Sequence, residues 1–217
     1  MKLIKCFTFN LLLIVITLTS AQSQFSKISD ACTQVLTPLI SNKELNACIP
    51  LASLAPSGKN DTYGTLVKGA DKLCAADKCS DNLITTIQNN IEKGCTTDLT
   101  NQVPEVLAID FLFTYYSPIR DSACLKNSTN GYCFIETIDK LKNYEKNITN
   151  VNSFDSALDS FNQLPTDVVC TTCNKAIANT FFNYQDANPD RTKRFATPVA
   201  SVKSILGNKC GADFTSK

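Results

Sequence analysis

Leu164–Tyr184 reads LPTDVVCTTCNKAIANTFFNY, and this stretch decides the fold class. Pro165 suits the first turn of a helix, where its missing N–H removes no hydrogen bond. Beyond it, Val169, Cys170, Cys173, Ala176, Ile177, Thr180, Phe181 and Tyr184 recur at steps of three and four residues. That recurrence is one face of a long amphipathic helix. It puts Cys170 and Cys173 one turn apart on the buried face, so the helix is expected to be tied to two other parts of the chain.

The same period runs through the rest of the sequence. Ile28, Ala31, Cys32, Val35, Leu36, Leu39 and Ile40 form one stripe, and Ser41-Asn42-Lys43-Glu44 reads as a capping box that starts the next helix. Leu45, Cys48, Ile49 and Ala52 continue that helix until Pro56-Ser57-Gly58 stops it. Two helices joined by so short a turn are antiparallel neighbours, which makes a Cys32–Cys48 bridge geometrically sensible. Leu66, Val67, Ala70, Leu73 and Cys74 make a third stripe. Leu83, Ile84, Ile87 and Ile91 make a fourth, with Gly94 in the C′ role. Cys32 to Cys48 and Cys79 to Cys95 share the spacing C-x15-C, which among so many cysteine pairs reads as coincidence.

Pro104 opens the most apolar segment after the N-terminus, Val106–Tyr116 (VLAIDFLFTYY), closed by Pro118. Hydrophobic almost all round, it is expected as a helix at the centre of a bundle. Asp110, its one charge, is expected on the one wet edge; a buried carboxylate there would need a partner or a shifted pKa, which can mark a site. Cys124 and Cys133 flank Lys126–Gly131, the natural place for a bridge closing that loop. Phe134, Ile135, Ile138 and Leu141, then Phe154, Ala157, Leu158 and Phe161, begin further helices. The last stripe is Val199, Val202, Ile205 and Leu206, with Pro198 at its first position and Gly207 at its end. No stretch alternates apolar and polar residues. The expectation is all-α: a single disulfide-stapled helical bundle of about seven to nine helices over residues 22–217.

Residues 1–21 read as a secretory signal peptide: Lys2 and Lys5, an apolar run from Leu11 to Leu18, then small residues, with cleavage after Ala21. The run is too short for a comfortable membrane span. Its removal takes Cys6 and leaves Cys32, Cys48, Cys74, Cys79, Cys95, Cys124, Cys133, Cys170, Cys173 and Cys210. An even count in a secreted chain reads as about five disulfides, with about 945 connectivities open. Without Lys2 and Lys5 the 21 basic residues become 19 against 20 acidic ones, a net charge of −1. Such a balance points to no nucleic-acid or anionic-membrane partner. Asn60-Asp-Thr, Asn127-Ser-Thr and Asn147-Ile-Thr are N-glycosylation sequons in polar stretches.

Several features together resemble a family of small secreted fungal proteins of unknown function described by the domain DUF7729. They are Ala31-Cys32, Cys48-Ile-Pro50, Leu73-Cys74 with Cys79, Tyr132-Cys133, and Leu164-Pro165 through Cys170-Thr-Thr-Cys173 to Ala176-Ile177. The resemblance covers most of the mature chain. It implies an extracellular or cell-wall location and brings no assigned activity, substrate, cofactor or catalytic residue. Some such fungal surface proteins end in a Ser-rich stretch and a hydrophobic lipid-anchor signal. This sequence ends at Phe214-Thr-Ser-Lys217 with neither, so no lipid anchor is expected.

The sharper chemistries find little footing. A catalytic CxxC wants its thiolate at a helix N-terminus after a strand, whereas Cys170 and Cys173 fall inside a helical stripe. Zinc on Cys74, Cys79, Cys170 and Cys173 competes with oxidation and has poor spacing. With no histidine in the chain, Ser-His and Cys-His nucleophile systems and C-x-x-C-H haem attachment are excluded. Carboxylate catalysis through Glu105, Asp110 or Asp121 survives that filter, although no pair stands out and there is no Trp to stack a sugar. Phe111, Phe113, Phe181 and Phe182 are available to line a lipid cavity, or simply to fill the core. Lys193-Arg194 before Phe195 resembles a dibasic processing site, with a solvated helix end as the plainer reading. The resulting expectation is a secreted binding module of the cell surface, wall or host, with no cofactor, metal or catalytic residue assigned. A carrier of a small apolar lipid or sterol is the alternative, and a carboxylate-dependent hydrolase the third reading.

Overall fold

The computed structural model describes residues 28–49, 62–142, 144 and 154–216. The signal segment, the Pro56–Gly58 stop and the sequons at Asn60 and Asn147 lie outside them. Among the described residues nine helices run nine residues or longer, joined by shorter helical pieces. The β-pairing among them is an isolated bridge between Lys126 and Tyr132. The chain is therefore all-α, as its periodicity predicts, and it is stapled by disulfides. Contacts divide it into two compact units that part between Arg120 and Asp121.

In the first unit, α1 (Asp30–Ser41) and α2 (Lys43–Cys48) are followed by α3 (Thr62–Ala75) and α4 (Asp81–Gly94). Then come α5 (Thr96–Thr100), α6 (Pro104–Thr114) and α7 (Tyr116–Cys124), of which the residues up to Arg120 belong here. Helix α4 packs against both α1 and α6. Its stripe of Ile84, Ile87 and Ile91 is buried, each side chain contributing about 1.5–3 kcal/mol of apolar burial. Ser29 caps α1 by accepting from the Cys32 N–H, and Ser80 caps α4 by accepting from the Leu83 N–H.

Local features depart from the sequence reading here. Asn42, not Ser41, caps α2, accepting from the Leu45 N–H at 2.9 Å. Ser41 ends α1 instead, its hydroxyl turned back to the Pro38 carbonyl. Ile40, placed on the buried stripe by spacing alone, is 72% exposed. The apolar segment Val106–Tyr116 is not one helix: α6 stops at Thr114, Tyr115 adopts φ −105° and ψ 25°, and α7 starts at Tyr116. Gly94 is the last residue of α4 rather than its C′ residue, and Cys95 follows as the C-cap. The expected Cys32–Cys48 bridge does not form. Cys32 bonds Cys95 and Cys48 bonds Cys79. The two C-x15-C segments are thus bridged to each other, outer cysteine to outer and inner to inner.

The second unit holds α8 (Cys133–Leu141), α9 (Phe154–Gln163), α10 (Thr166–Val169), α11 (Thr172–Ala187) and α12 (Pro189–Thr192). A 3₁₀ turn over Lys193–Phe195 leads into α13 (Ala196–Cys210). Helix α8 packs along α11, and α13 packs against α9, α10 and α11. The helix expected to run unbroken from Pro165 to Tyr184 is interrupted between its two cysteines. Cys170 takes φ −91° and ψ 45°, and Thr171 is extended and caps α11 by accepting from the Asn174 N–H. Threonine is a good N-cap and a poor helix interior, so it starts a new helix rather than continuing the old one. The break frees carbonyls at the end of α10, and the buried Asn174 amide donates to two of them, Val168 O and Val169 O, at 3.0 Å each.

Cys173 stays on the buried face and bonds Cys133, while the half-buried Cys170 bonds Cys210. The Cys124–Cys133 bridge expected around the loop is therefore absent. Cys124 and Cys74 are both disulfide-bonded too. The last helix begins two residues before Pro198 and runs through Gly207 to Cys210; Gly211, at φ 90°, ends it.

Candidate functional site

The sequon residue Asn127 sits in the loop between Leu125 and Cys133, and its side chain organises that loop. Its Oδ1 accepts from the Thr129 N–H (3.1 Å), the Thr129 hydroxyl (2.9 Å) and the Gly131 N–H (2.8 Å). Its Nδ2 donates to Glu136 Oε2 at 3.0 Å. Backbone bonds from Asn127 N to Gly131 O and from Cys133 N to Leu125 O, both 2.8 Å, close the base. Lys126 Nζ lies 5.0 Å from the centre of the Tyr132 ring, within cation–π range. Glu136 joins this loop to the core: its Oε2 is 3.5 Å from Cys173 Sγ, and its Oε1 is 3.9 Å from Lys140 Nζ. The result is a pinned loop that presents Lys126 and Ser128–Gly131 to solvent.

Asp98, on α5, is 3% exposed and accepts from the Ser29 N–H (2.9 Å) and the Ser29 hydroxyl (2.5 Å). Burial pushes its carboxyl up. The bonds from the Ser29 side chain, the Ser29 backbone and its own backbone outweigh that and hold it below the ordinary carboxylate value. Because Ser29 caps α1, Asp98 also places negative charge at that helix's N-terminus.

Asp110 does not lie on a wet edge: it is wholly buried (0% exposed) on α6. Glu105 precedes it by five residues, about 140° away round the helix axis, so the two do not share a face. Asp121 is half-buried. Arg120, also buried, donates through Nη2 to Cys74 O (3.2 Å) and Ala76 O (2.9 Å), placing a cation at the C-terminus of α3.

A cavity of ≈ 10 Å³ opens among Thr137, Leu141, Phe161, Leu164, Val168, Val169 and Asn174. That is room for about one water molecule. The phenylalanines available to line a lipid cavity, or to fill the core, are not among its lining residues. Phe111 stacks on Tyr115 at 4.6 Å, Phe113 and Phe182 are buried, and Phe181 packs against Cys133, Cys173 and Ile177. Cys74, Cys79, Cys170 and Cys173, considered for zinc or redox chemistry, are all committed to disulfides. Among the described residues no group of three or more His, Cys, Asp or Glu side chains is placed to hold a metal ion. No helix among them is long and apolar enough to cross a membrane.

Residues 17–217 match the family described as a domain of unknown function, DUF7729. The chain belongs to this family. No curated protein and no solved structure matches it.

What this DUF7729 chain presents among its described residues is a set of helices held by disulfides. Three residues that organise its units escaped the sequence reading: Asp98 in the first, and Glu136 and Asn174 in the second. Asp98 and Glu136 look like ordinary surface acids of short helices, and Asn174 falls among the stripe of its helix without belonging to it. The capping role of Asn174 follows only from the break at Cys170–Thr171, which spacing does not reveal.

Proposed function

We propose that this DUF7729 chain is a secreted, N-glycosylated binding module that acts at the cell surface, in the cell wall or against a host. Residues 1–21 would be removed as a signal peptide, and Asn60, Asn127 and Asn147 would carry glycans. The observation that carries the reading is the commitment of all ten cysteines from Cys32 to Cys210 to disulfides. Such a framework belongs to an oxidising compartment and yields a rigid surface. The loop geometry agrees: Asn127 Nδ2 has two hydrogens and Glu136 uses one, which leaves the other position for a sugar. The cavity beside Thr137 and Phe161 is far below the 300–1,000 Å³ typical of a small-molecule pocket, so that cavity lends no support to the carrier reading.

The test is native mass spectrometry of the secreted, deglycosylated protein, followed by non-reducing peptide mapping and a pull-down from wall and surface extracts. Fully paired cysteines, occupied sequons and a saturable wall or surface partner are the expected results. A small apolar mass that leaves on denaturation would overturn the binding-module reading in favour of a carrier.

A further inference from the structure

We infer that Asn130-Gly131 is a latent site of spontaneous deamidation and that the Asn127 carbonyl holds it closed. Asn-Gly is the dipeptide most open to this reaction, because glycine has no Cβ to hinder its own nitrogen. The Gly131 nitrogen loses its proton and attacks Asn130 Cγ. The side-chain nitrogen leaves as ammonia, and a five-membered succinimide forms. Water then opens the ring at either carbonyl, leaving aspartate or a β-linked isoaspartate at position 130.

The loop meets the requirements for reaction and also blocks it. Asn130 and Gly131 are both exposed, and Asn130 is held at φ 65°, a left-handed conformation that asparagine tolerates better than most residues. The attacking atom, however, donates its hydrogen to Asn127 Oδ1 at 2.8 Å. A neutral acceptor stabilises the protonated amide and opposes its ionisation. The Gly131 nitrogen can attack only after losing the hydrogen held in that bond, so the bond must break first. Asn127 is held in place over it, since the Thr129 N–H and Glu136 fix its amide group and its backbone is bonded to Gly131 O and Asn130 N. The sequon asparagine is therefore the guard of its neighbour four residues away.

The test is ageing of the purified secreted protein in mildly alkaline buffer, with peptide mapping that separates asparagine, aspartate and isoaspartate at position 130. Folded wild type is expected to convert roughly fivefold to tenfold more slowly than the reduced, unfolded chain, the factor worth about one hydrogen bond. N127A, with its disulfides verified, should recover most of the unfolded rate. T129A removes the sequon but keeps the Asn127 carbonyl on Gly131, so it should stay near wild type. Equal rates for folded and unfolded wild type, or no acceleration in N127A, overturn the inference. So does acceleration of T129A to the level of N127A, which would make a glycan the guard. If N127A does not fold, hydrogen exchange at the Gly131 amide of wild type decides: exchange as fast as in the unfolded chain overturns the guard.

Discussion

Gly94 lies so close to Val35 that a Cβ at position 94 would stand 2.2 Å from Val35 Cγ2 and 3.3 Å from Val35 Cβ. On an open helix, replacing glycine by alanine gains about 1 kcal/mol. Here valine has only χ1 to turn, and turning it does not move its Cβ. Nor can the helices drift apart freely, because Cys32 and Cys95 are bonded beside the contact. G94A is expected to lose about 1–3 kcal/mol of stability through overpacking, in chemical denaturation with the disulfides intact. V35A in the G94A background should recover most of that. A G94A protein as stable as wild type would show that the contact yields.

Ser29 and Asp98 make a pH-dependent clasp at the start of α1. The folded carboxyl is held low, so its contribution is complete above the unfolded value of about 3.9 and is lost as pH falls through the folded value. D98N should be less stable than wild type by about 1–2 kcal/mol at neutral pH. The difference should stay constant from about pH 5 upward and shrink below about pH 4. A difference that persists unchanged in acid would remove the charge from the account.

Asn174 answers three buried groups at once: the carbonyls of Val168 and Val169, and the Thr137 hydroxyl, which donates to its Oδ1 at 2.6 Å. N174A strands the two carbonyls, while the Thr137 hydroxyl keeps the Cys133 carbonyl as an acceptor at 3.1 Å, and should cost about 1–3 kcal/mol. N174D keeps the acceptor but offers no donor to the carbonyls, so it should fare no better. Thermal melts of both variants check this, and a melt within a degree or so of wild type would show that water replaces the amide.

These three relationships mark the limit of what the sequence made legible. Helix positions were readable because burial imposes the period: Ile84, Ile87 and Ile91 sit inside as their spacing requires. The break at Cys170–Thr171 was not, since the apolar stripe passes through it undisturbed and a threonine cap competes only locally. Gly94 looked like a helix stop, whereas its reason is a side chain on α1 some sixty residues earlier. Disulfide partners are set by which helices meet, and that is why neighbouring cysteines proved poor guides. At the candidate site, Asn127 was visible as a sequon. Its grip on Gly131 and Glu136 was not, because it depends on how the loop closes.

The last prediction concerns Lys193-Arg194. A protease needs an extended, accessible segment, and exposed loop tips are where nicking concentrates. Both basic side chains are exposed, but their backbone is wound in a 3₁₀ turn between α12 and α13, and Phe195, just after the bond to be cut, is 8% exposed. Cleavage after Arg194 therefore requires local opening. The Cys170–Cys210 bridge spans the site and restrains that opening. Trypsin is expected to cut folded wild type there far more slowly than the reduced chain. C170S/C210S, which gives up about 2–4 kcal/mol of stability, should be cut several-fold faster. Any nicked wild-type protein should run as one species until a reductant is added, because α13 stays bonded to Cys170. Rapid cleavage of the folded protein would restore the dibasic pair as a processing site. Release of the C-terminal fragment without reduction would contradict the Cys170–Cys210 pairing itself.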